Sequence, residues 1–247
     1  MTMENIYLFY ALLLLLAFLY AAVGHGGASG YLALMAIYSM PPATMKPTAL
    51  FLNIIVSGIA FFQFYQGGHF LRRLFFPLAI ASVPMAFLGG LVSIEANVYK
   101  KILGCLLLLP IARFLFMGNT DNAYKNEPKL LVSVVIGAAI GFLSGLIGIG
   151  GGIILSPLLL LLRWTDQKQA AATSAAFIFV NSVSGLAGQL SVGVRFTNDM
   201  FIYIVVAAVG GMAGSYLGAR RFAQPLLKNI LALVLVVAAY KLLLTNA

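Results

Sequence analysis

Long apolar runs separated by short polar stretches extend along the whole chain. A transmembrane helix needs about 20 consecutive, mainly apolar residues, and eight runs approach or exceed that length. They occupy residues 5–23, 46–66, 71–94, 98–118, 128–147, 168–192, 197–219 and 224–245. Two shorter runs, 28–39 and 152–163, would each reach only about 18 Å as helices, roughly half of a membrane. The pattern predicts an all-α polytopic membrane protein with about eight long spans and two short broken or re-entrant helices.

A glycine cluster precedes each short run. The first is Gly24-His25-Gly26-Gly27, and the second is Gly148-Ile149-Gly150-Gly151-Gly152. Glycines weaken a helix and expose backbone polar groups, which hydrocarbon tolerates only where protein or water satisfies them. Matched breaks in two halves of a chain indicate a transporter binding site at the interface between repeats. The structural alternative is that the glycines allow tight helix packing.

The two halves also share an ordered series of residues, which predicts an internal duplication. The members are separated by 124 to 128 positions, and the drift is explained by small loop insertions. The pairs are Gly24 and Gly148, Gln63 and Gln189, Ser57 and Ser184, and Asn53 and Asn181. We therefore expect a first repeat at residues 1–118, a polar linker at 119–127 and a second repeat at 128–247.

The relative orientation of the repeats depends on the two breaks. If each break is the tip of a re-entrant hairpin, each half crosses the membrane three times and the halves are inverted. If 5–39 is one broken span, each half crosses four times and the halves are parallel. With Arg113 left out, because it is expected to snorkel from the end of its span, the inverted arrangement places nine Lys and Arg residues on one face and five on the other, against six and eight for the parallel one. The positive-inside rule thus favours inverted repeats, with a cytoplasmic linker and both termini outside.

Composition agrees with a membrane protein and argues against other classes. The chain is 62% hydrophobic and 9% charged, whereas a soluble domain carries about 25% charged residues. A net charge of +9 would suggest nucleic acid as a partner of a soluble protein. Here most Lys and Arg residues fall at segment ends, where they orient spans, so we expect the lipid bilayer and no nucleic acid as a partner.

The single cysteine, Cys105, lies in an apolar run and is expected to be a packed core thiol.

Half-helices that begin at the breaks would point their N–H groups and positive dipole ends at them, which favours a small anion. Polar residues within or near the spans could donate to anion oxygens, or could serve only as interhelical hydrogen bonds. The substrate-binding candidates are Gly24, His25, Gly26, Gly27, Asn53, Ser57, Gln63, Gly148, Gly150, Gly151, Gly152, Thr173, Ser174, Asn181, Ser184 and Gln189.

His25 is the only ionisable residue well inside an apolar part of the chain. It could donate to an anion when neutral or couple transport to protons when charged. Against this, the second half has Ile149 at the equivalent position, and a structural histidine is the alternative. The sequence offers no second histidine near His25 and no Cys-x-x-Cys, so we predict no metal site, no cofactor and no enzymatic activity. The candidate coupling ions are H⁺ and Na⁺, the latter because unwound carbonyls can bind it.

The chain resembles the TauE/SafE family of sulfite exporters. The resemblance rests on the segments 145–157 (GLIGIGGGIILSP), 172–175 (ATSA) and 181–185 (NSVSG), with a weaker copy in the first half. That copy has Ala28 where a third glycine is common, and Lys46-Pro47-Thr48 where the second half has Thr173-Ser174-Ala175.

The resemblance implies a secondary transporter of the bacterial inner membrane. It would export sulfite, another sulfur oxyanion or an organosulfonate by alternating access around the two breaks. An anion channel or an importer of the same substrates is the alternative, and a homo-oligomer is a further candidate assembly.

Overall fold

The computed structural model describes residues 3–22, 24–116, 126–194 and 198–220, together with Val236 and Tyr240. These ranges are helical throughout, with short connections and no strand, which confirms the all-α prediction. The helices are α1 (Met3–Ala22), α2 (Ala28–Ile37), α3 (Pro42–Gln66), α4 (Arg72–Leu91), α5 (Ala96–Phe116), α6 (Leu130–Ile147), α7 (Gly152–Leu161), α8 (Gln167–Ser191) and α9 (Asn198–Arg220).

Five of these helices, α3, α4, α6, α8 and α9, are long and apolar enough to cross a membrane. The eighth run predicted from the sequence, 224–245, and most of the linker at 119–127 lie outside the described residues.

Local sequence explains where several helices begin and end. At the start of α8, Asp166 Oδ1 accepts from the Gln169 N–H at 2.8 Å, and Gln169 Oε1 accepts from the Asp166 N–H at 3.1 Å. This reciprocal capping box satisfies two N–H groups that the helix itself cannot. α3 begins at Pro42, four residues before the apolar run from 46, because proline is well tolerated in a first helical turn.

The first two helices form an antiparallel hairpin. Near its tip, the Ser29 hydroxyl of α2 donates to the Tyr20 hydroxyl of α1 at 2.9 Å. At the other end, the ring of Phe9 in α1 lies 5.2 Å from the ring of Tyr38, which caps α2. The hairpin therefore starts and finishes at one end of the molecule, with the first glycine cluster at its tip.

α6 and α7 form a second hairpin with the same construction. Asn126, just before α6, donates from Nδ2 to the carbonyl of Leu162, just after α7, at 3.0 Å. Leu130, at the start of α6, and Trp164 line one cavity of about 460 Å³. The chain thus enters and leaves this hairpin at the same end, and the second glycine cluster forms its tip.

Glycine stripes bring helices from the two halves of the chain into backbone contact. A Cβ atom at any of these glycines would collide with the facing helix backbone. On α6 the stripe faces α4 and on α9 it faces α1, and the residues are Gly137, Gly141, Gly145, Gly210, Gly214 and Gly218. For these six glycines the close-packing interpretation applies.

The expectation for Cys105 was wrong. Its side chain is exposed rather than packed. Hydropathy cannot separate the two faces of a membrane helix, because the face toward lipid is as apolar as the face toward protein.

Candidate functional site

The two glycine breaks meet at the side chain of Asn53, in the middle of α3. A Cβ atom at Gly26 would lie 2.6 Å from Asn53 Oδ1, and one at Gly150 would collide with Asn53 Nδ2. Both would also lie 2.8 Å from Ile178 Cγ2 on α8. The breaks, more than 120 positions apart in the chain, are thus separated by little more than one carboxamide, and only glycine fits on either side of it.

Asn53 is fully buried and uses both ends of its amide. Its Oδ1 accepts from the Ala28 N–H at 3.0 Å, which caps the first turn of α2. Its Nδ2 donates to Ser182 Oγ on α8 at 3.3 Å. One side chain therefore connects the first break, the second break and the two central helices, α3 and α8. Ser182 was not among the sequence candidates, although it adjoins Asn181.

The second break is organised differently. Both N-caps, Gly27 with φ 96° and Gly151 with φ 80°, are left-handed glycines that offer no side-chain acceptor, and the breaks differ in that Asn53 Oδ1 caps α2. α7 is attached to α8 one turn further on, where Ser156 Oγ donates to Ser174 Oγ at 2.7 Å. Thus Asn53 Oδ1 caps the start of α2, whereas the start of α7 lies beside Asn53 Nδ2, the donor end of the amide.

Three predicted polar residues are buried near the centre of α3 or α8 without a full set of partners. Asn181 donates from Nδ2 to the carbonyl of Phe177, in its own helix, at 2.9 Å. Its Oδ1, the hydroxyl of Ser57 and the hydroxyl of Thr173 have no hydrogen-bond partner among the described residues. Such a buried group costs about 1–3 kcal/mol until it gains a partner. None of these three groups is therefore hydrogen-bonded to the Asn53 amide.

Other candidates lie away from the breaks. Ser184 donates to the carbonyl of Val83 and so joins α8 to α4, which is the interhelical role that the sequence left open. Gln63 is partly exposed near the end of α3. Gln189, near the end of α8, is buried, and neither of its amide atoms has a partner among the described residues. The two glutamines are therefore not brought together.

His25 lies within the first break and is 6% exposed. The backbone N–H of His25 donates to the backbone carbonyl of Tyr20 at 2.9 Å, and this hydrogen bond closes the turn after α1. The preceding Gly24 abuts α8, since a Cβ there would collide with Ala171. Among the described residues, no group of three His, Cys, Asp or Glu side chains could hold a metal ion.

Known proteins resemble this chain over nearly its whole length. Residues 9–242 match the family model described as sulfite exporter TauE/SafE. A probable membrane transporter protein of Sinorhizobium fredii is 36% identical over 232 residues, which cover 92% of this chain and 94% of that protein. A probable membrane transporter protein of Haemophilus influenzae is 28% identical, with 85% and 86% covered.

A more distant relative is the sulfite exporter TauE/SafE family protein 6 of Arabidopsis thaliana, 26% identical over 163 residues, with 59% of this chain and 38% of that protein covered. No solved structure matches the chain. The family match includes both glycine breaks and Asn53, and the bacterial relatives are membrane transporters by name. The chain therefore belongs to the sulfite exporter TauE/SafE family of membrane transporters.

Proposed function

We propose that this protein is a secondary transporter that exports a small anion, either sulfite or another sulfur oxyanion or organosulfonate, across the bacterial inner membrane. The observation that carries the proposal is the meeting of the two glycine breaks at Asn53. The substrate class rests on the family, whose model is that of a sulfite exporter. We propose no cofactor and no enzymatic step.

The site suits an anion without needing a buried cation. α2 and α7 both begin at the breaks, and a helix N-terminus carries a partial charge of about +0.5. Asn53 Nδ2 and the hydroxyl of Ser182 are donors at the same place. Backbone N–H groups at such a position bind oxyanions in many proteins. An anion would take its hydrogen bonds from these groups while the apolar side chain of Ile178 limits its size.

We further propose that the repeats are inverted, with an eighth span at 224–245 completing the second one. The larger helix contacts in the described part of the chain have counterparts when the halves are exchanged. The start of α3 and the end of α8 also line one cavity, so these two exchanged helices run in opposite directions, as inverted repeats require. The contact of α4 with α6 corresponds to that of α9 with α1, and the contact of α4 with α8 to that of α9 with α3. α3 and α8, which exchange with each other, contact each other directly.

The distribution of charge supports a cytoplasmic location for the end at which α4, α6 and α8 begin. Eight Lys and Arg residues have side chains that the structure describes, and five of them are at that end and three at the other. The five are Arg72, Arg73, Lys129, Arg163 and Lys168. The α6–α7 hairpin would then open to the cytoplasm and the α1–α2 hairpin to the outside.

This topology suggests how alternating access would work. The two hairpin tips meet at Asn53, but each hairpin is anchored at a different membrane face. Movement of one hairpin would open the site to one side while the other hairpin kept it closed. His25, at the tip of the first hairpin, is the proposed proton carrier, and Na⁺ is the second candidate coupling ion. A homo-oligomer would be compatible with this scheme, since each chain carries its own pair of breaks.

The proposal is tested on purified protein in vesicles with a panel of sulfite, thiosulfate, sulfate, sulfoacetate and taurine. We expect saturable uptake of at least one of these anions. The other anions should inhibit that uptake more strongly the closer they are to the transported anion in size and charge. Transport of none of them would contradict the proposed substrate class. Flux that never exceeds electrochemical equilibrium and does not saturate would favour the anion channel instead.

A further inference from the structure

A second cavity lies at the end of the bundle where α3 begins and where α4 and α8 end. Its volume is about 220 Å³, several times the roughly 30 Å³ share of one water molecule. It is large enough for a small oxyanion and too small for a nucleotide. Its polar lining comes from Lys46, Ser93, Tyr99 and Gln189.

Lys46 is the only Lys or Arg among the residues that line this cavity in the described part of the chain. It lies in the second turn of α3 and is partly buried. Its ammonium nitrogen is 3.4 Å from the carbonyl of Val92, a long contact. Its Cγ would be 3.5 Å from a Cβ atom at Gly148, the first glycine of the second break. The aliphatic part of a lysine side chain therefore lies beside one of the two breaks.

Gln189 supplies an unused donor in the same cavity. It is 2% exposed, and neither Nε2 nor Oε1 has a hydrogen-bond partner among the described residues. A buried amide without partners is unfavourable, and a ligand that accepts from Nε2 removes part of that cost. Pro42 and Ala43, the first residues of α3, also line the cavity, so the positive end of the α3 dipole points toward it.

We propose that this cavity is a second anion-binding site, in which Lys46 and Gln189 hold the small oxyanion as it passes between the second break and the membrane face opposite the cytoplasm. The inference rests on the proposed function for the identity of the anion and for the direction of passage. The second site places the ammonium group of Lys46 on a route that otherwise offers the anion only backbone, amide and hydroxyl donors. An oxyanion at this position would interact with the ammonium group of Lys46, the amide of Gln189 and the first turn of α3.

The charge of Lys46 makes the two ends of the proposed route different. Lys46 lies beside Gly148 of the second break, whereas the matching Gly24 of the first break abuts Ala171, a neutral residue. In the described part of the chain, no lysine therefore takes the corresponding place beside Gly24. An asymmetric charge of this kind gives the anion a higher affinity at one end of its route than at the other, although the two glycine breaks are matched.

The test compares Lys46→Gln with Lys101→Gln in vesicles of phosphatidylcholine, using sulfite as the transported anion. Lys101 is exposed on α5, two residues beyond Tyr99, and does not line the cavity, so its substitution removes the same charge nearby. We expect Lys46→Gln to raise the KM about tenfold, since one charge pair near the surface is worth that much or more. Lys101→Gln should leave the KM within twofold of wild type. Lys46→Arg should restore most of the affinity, and Gln189→Leu should raise the KM several-fold.

The outcomes separate this site from the proposed function. If wild type transports sulfite and Lys46→Gln behaves like Lys101→Gln, the second site is refuted and the transport proposal stands. If Lys46→Gln lowers only the maximum rate, Lys46 does not bind the anion and the inference also fails. If wild type transports none of the panel, equilibrium binding of sulfite to wild type and Lys46→Gln decides the question directly, and equal binding overturns the site.

A lipid headgroup carries similar chemistry and is distinguished by the vesicles. Repeating the assay with one third phosphatidylglycerol shows whether the effect of Lys46→Gln needs an anionic lipid. A tenfold effect on KM in pure phosphatidylcholine supports a soluble anion in the cavity. An effect that appears only with phosphatidylglycerol assigns the cavity to a lipid and refutes the inference.

Discussion

Asn53 in the first half of the chain donates from its amide Nδ2 to Ser182 Oγ in the second half, over 3.3 Å and 129 positions of sequence. The other end of the amide caps α2 through the Ala28 N–H. Because Gly26 and Gly150 both abut this amide, it holds the two hairpin tips at a fixed distance. A substrate that binds between the tips must therefore contact Asn53 or displace it.

Replacing Asn53 by Asp separates its structural role from its role toward the anion. The carboxylate still accepts from the Ala28 N–H, and Ser182 can reverse its hydrogen bond because a hydroxyl is both donor and acceptor. The added negative charge should repel an anion, so we expect Asn53→Asp to lower transport at least tenfold, and burial of the charge also lowers the thermal unfolding midpoint. Asn53→Ala adds no charge but leaves a buried N–H unsatisfied, and it should lower stability by about 1–3 kcal/mol. Wild-type transport by Asn53→Asp would show that no anion approaches this amide.

Gly150→Ala tests the close approach of the second break to Asn53. Its φ of 72° is left-handed, which costs a non-glycine residue about 1–2 kcal/mol, and its Cβ would collide with Asn53 Nδ2. We expect transport to be lost while the protein still inserts into the membrane. Vesicle uptake and detergent-solubilised size-exclusion profiles measure the two properties separately.

Gly193→Ala is the matched control for that substitution. Gly193 has φ 88° and no atom within 4 Å of a Cβ position, so it shares the backbone strain and lacks the collision. It should lose only the stability that the backbone strain accounts for, about 1–2 kcal/mol, and keep its transport. Equal transport by the two variants would mean that the space around the second break is not used by the substrate.

The glycine stripe on α6 should matter for stability rather than for recognition. A Cβ at Gly141 would collide with the backbone of Ser82, so Gly141→Ala must push α6 and α4 apart. Overpacking of this kind costs about 1–3 kcal/mol, and the thermal unfolding midpoint should fall. Gly58→Ala is the control, since its Cβ would make an ordinary contact 3.4 Å from the Phe179 ring. A midpoint that falls equally in both variants would refute the role of the stripe.

Much of this architecture can be predicted from the sequence, because glycine clusters and amide side chains are unfavourable in the hydrocarbon region of a membrane and stand out within apolar segments. Two glycine clusters in apolar surroundings need a reason, and the hairpin tips provide it. Asn53 is found in the same way, since a buried amide in a span needs partners. Helix limits fall within a few residues of the apolar runs, and the largest shift, at the start of α3, arises where prolines and Lys46 lower hydropathy without preventing a helix.

Residues that depend on rotation about a helix axis or on tertiary contact could not be predicted. Separations between the halves drift from 124 to 128 positions, and an error of one position turns a side chain by about 100° around a helix. The alignment therefore selected Asn181, which bonds its own helix, and passed over Ser182. The sequence predicts only a topological role for Lys46, because its contact with Gly148 joins segments about a hundred positions apart.

His25 should determine the pH dependence of transport if it carries the coupled proton. Histidine is the side chain whose charge most readily changes within the physiological pH range, so transport by wild type should change between about pH 5 and 8. In His25→Gln that change should disappear. Both proteins are measured with the same anion, because any titration of the anion itself then cancels in the ratio of the two rates. A constant ratio across this range would assign His25 a structural role.

Counterflow of labelled sulfite in vesicles measures whether one alternating-access site for a small sulfur oxyanion lies between the two breaks. Vesicles loaded with unlabelled sulfite are diluted into a trace of labelled sulfite, and wild type should accumulate label transiently above equilibrium, whereas Gly150→Ala should not. A channel gives no such overshoot, since it does not exchange bound anions one for one. Equal overshoot in both proteins, or none in wild type with any anion of the panel, would contradict the account.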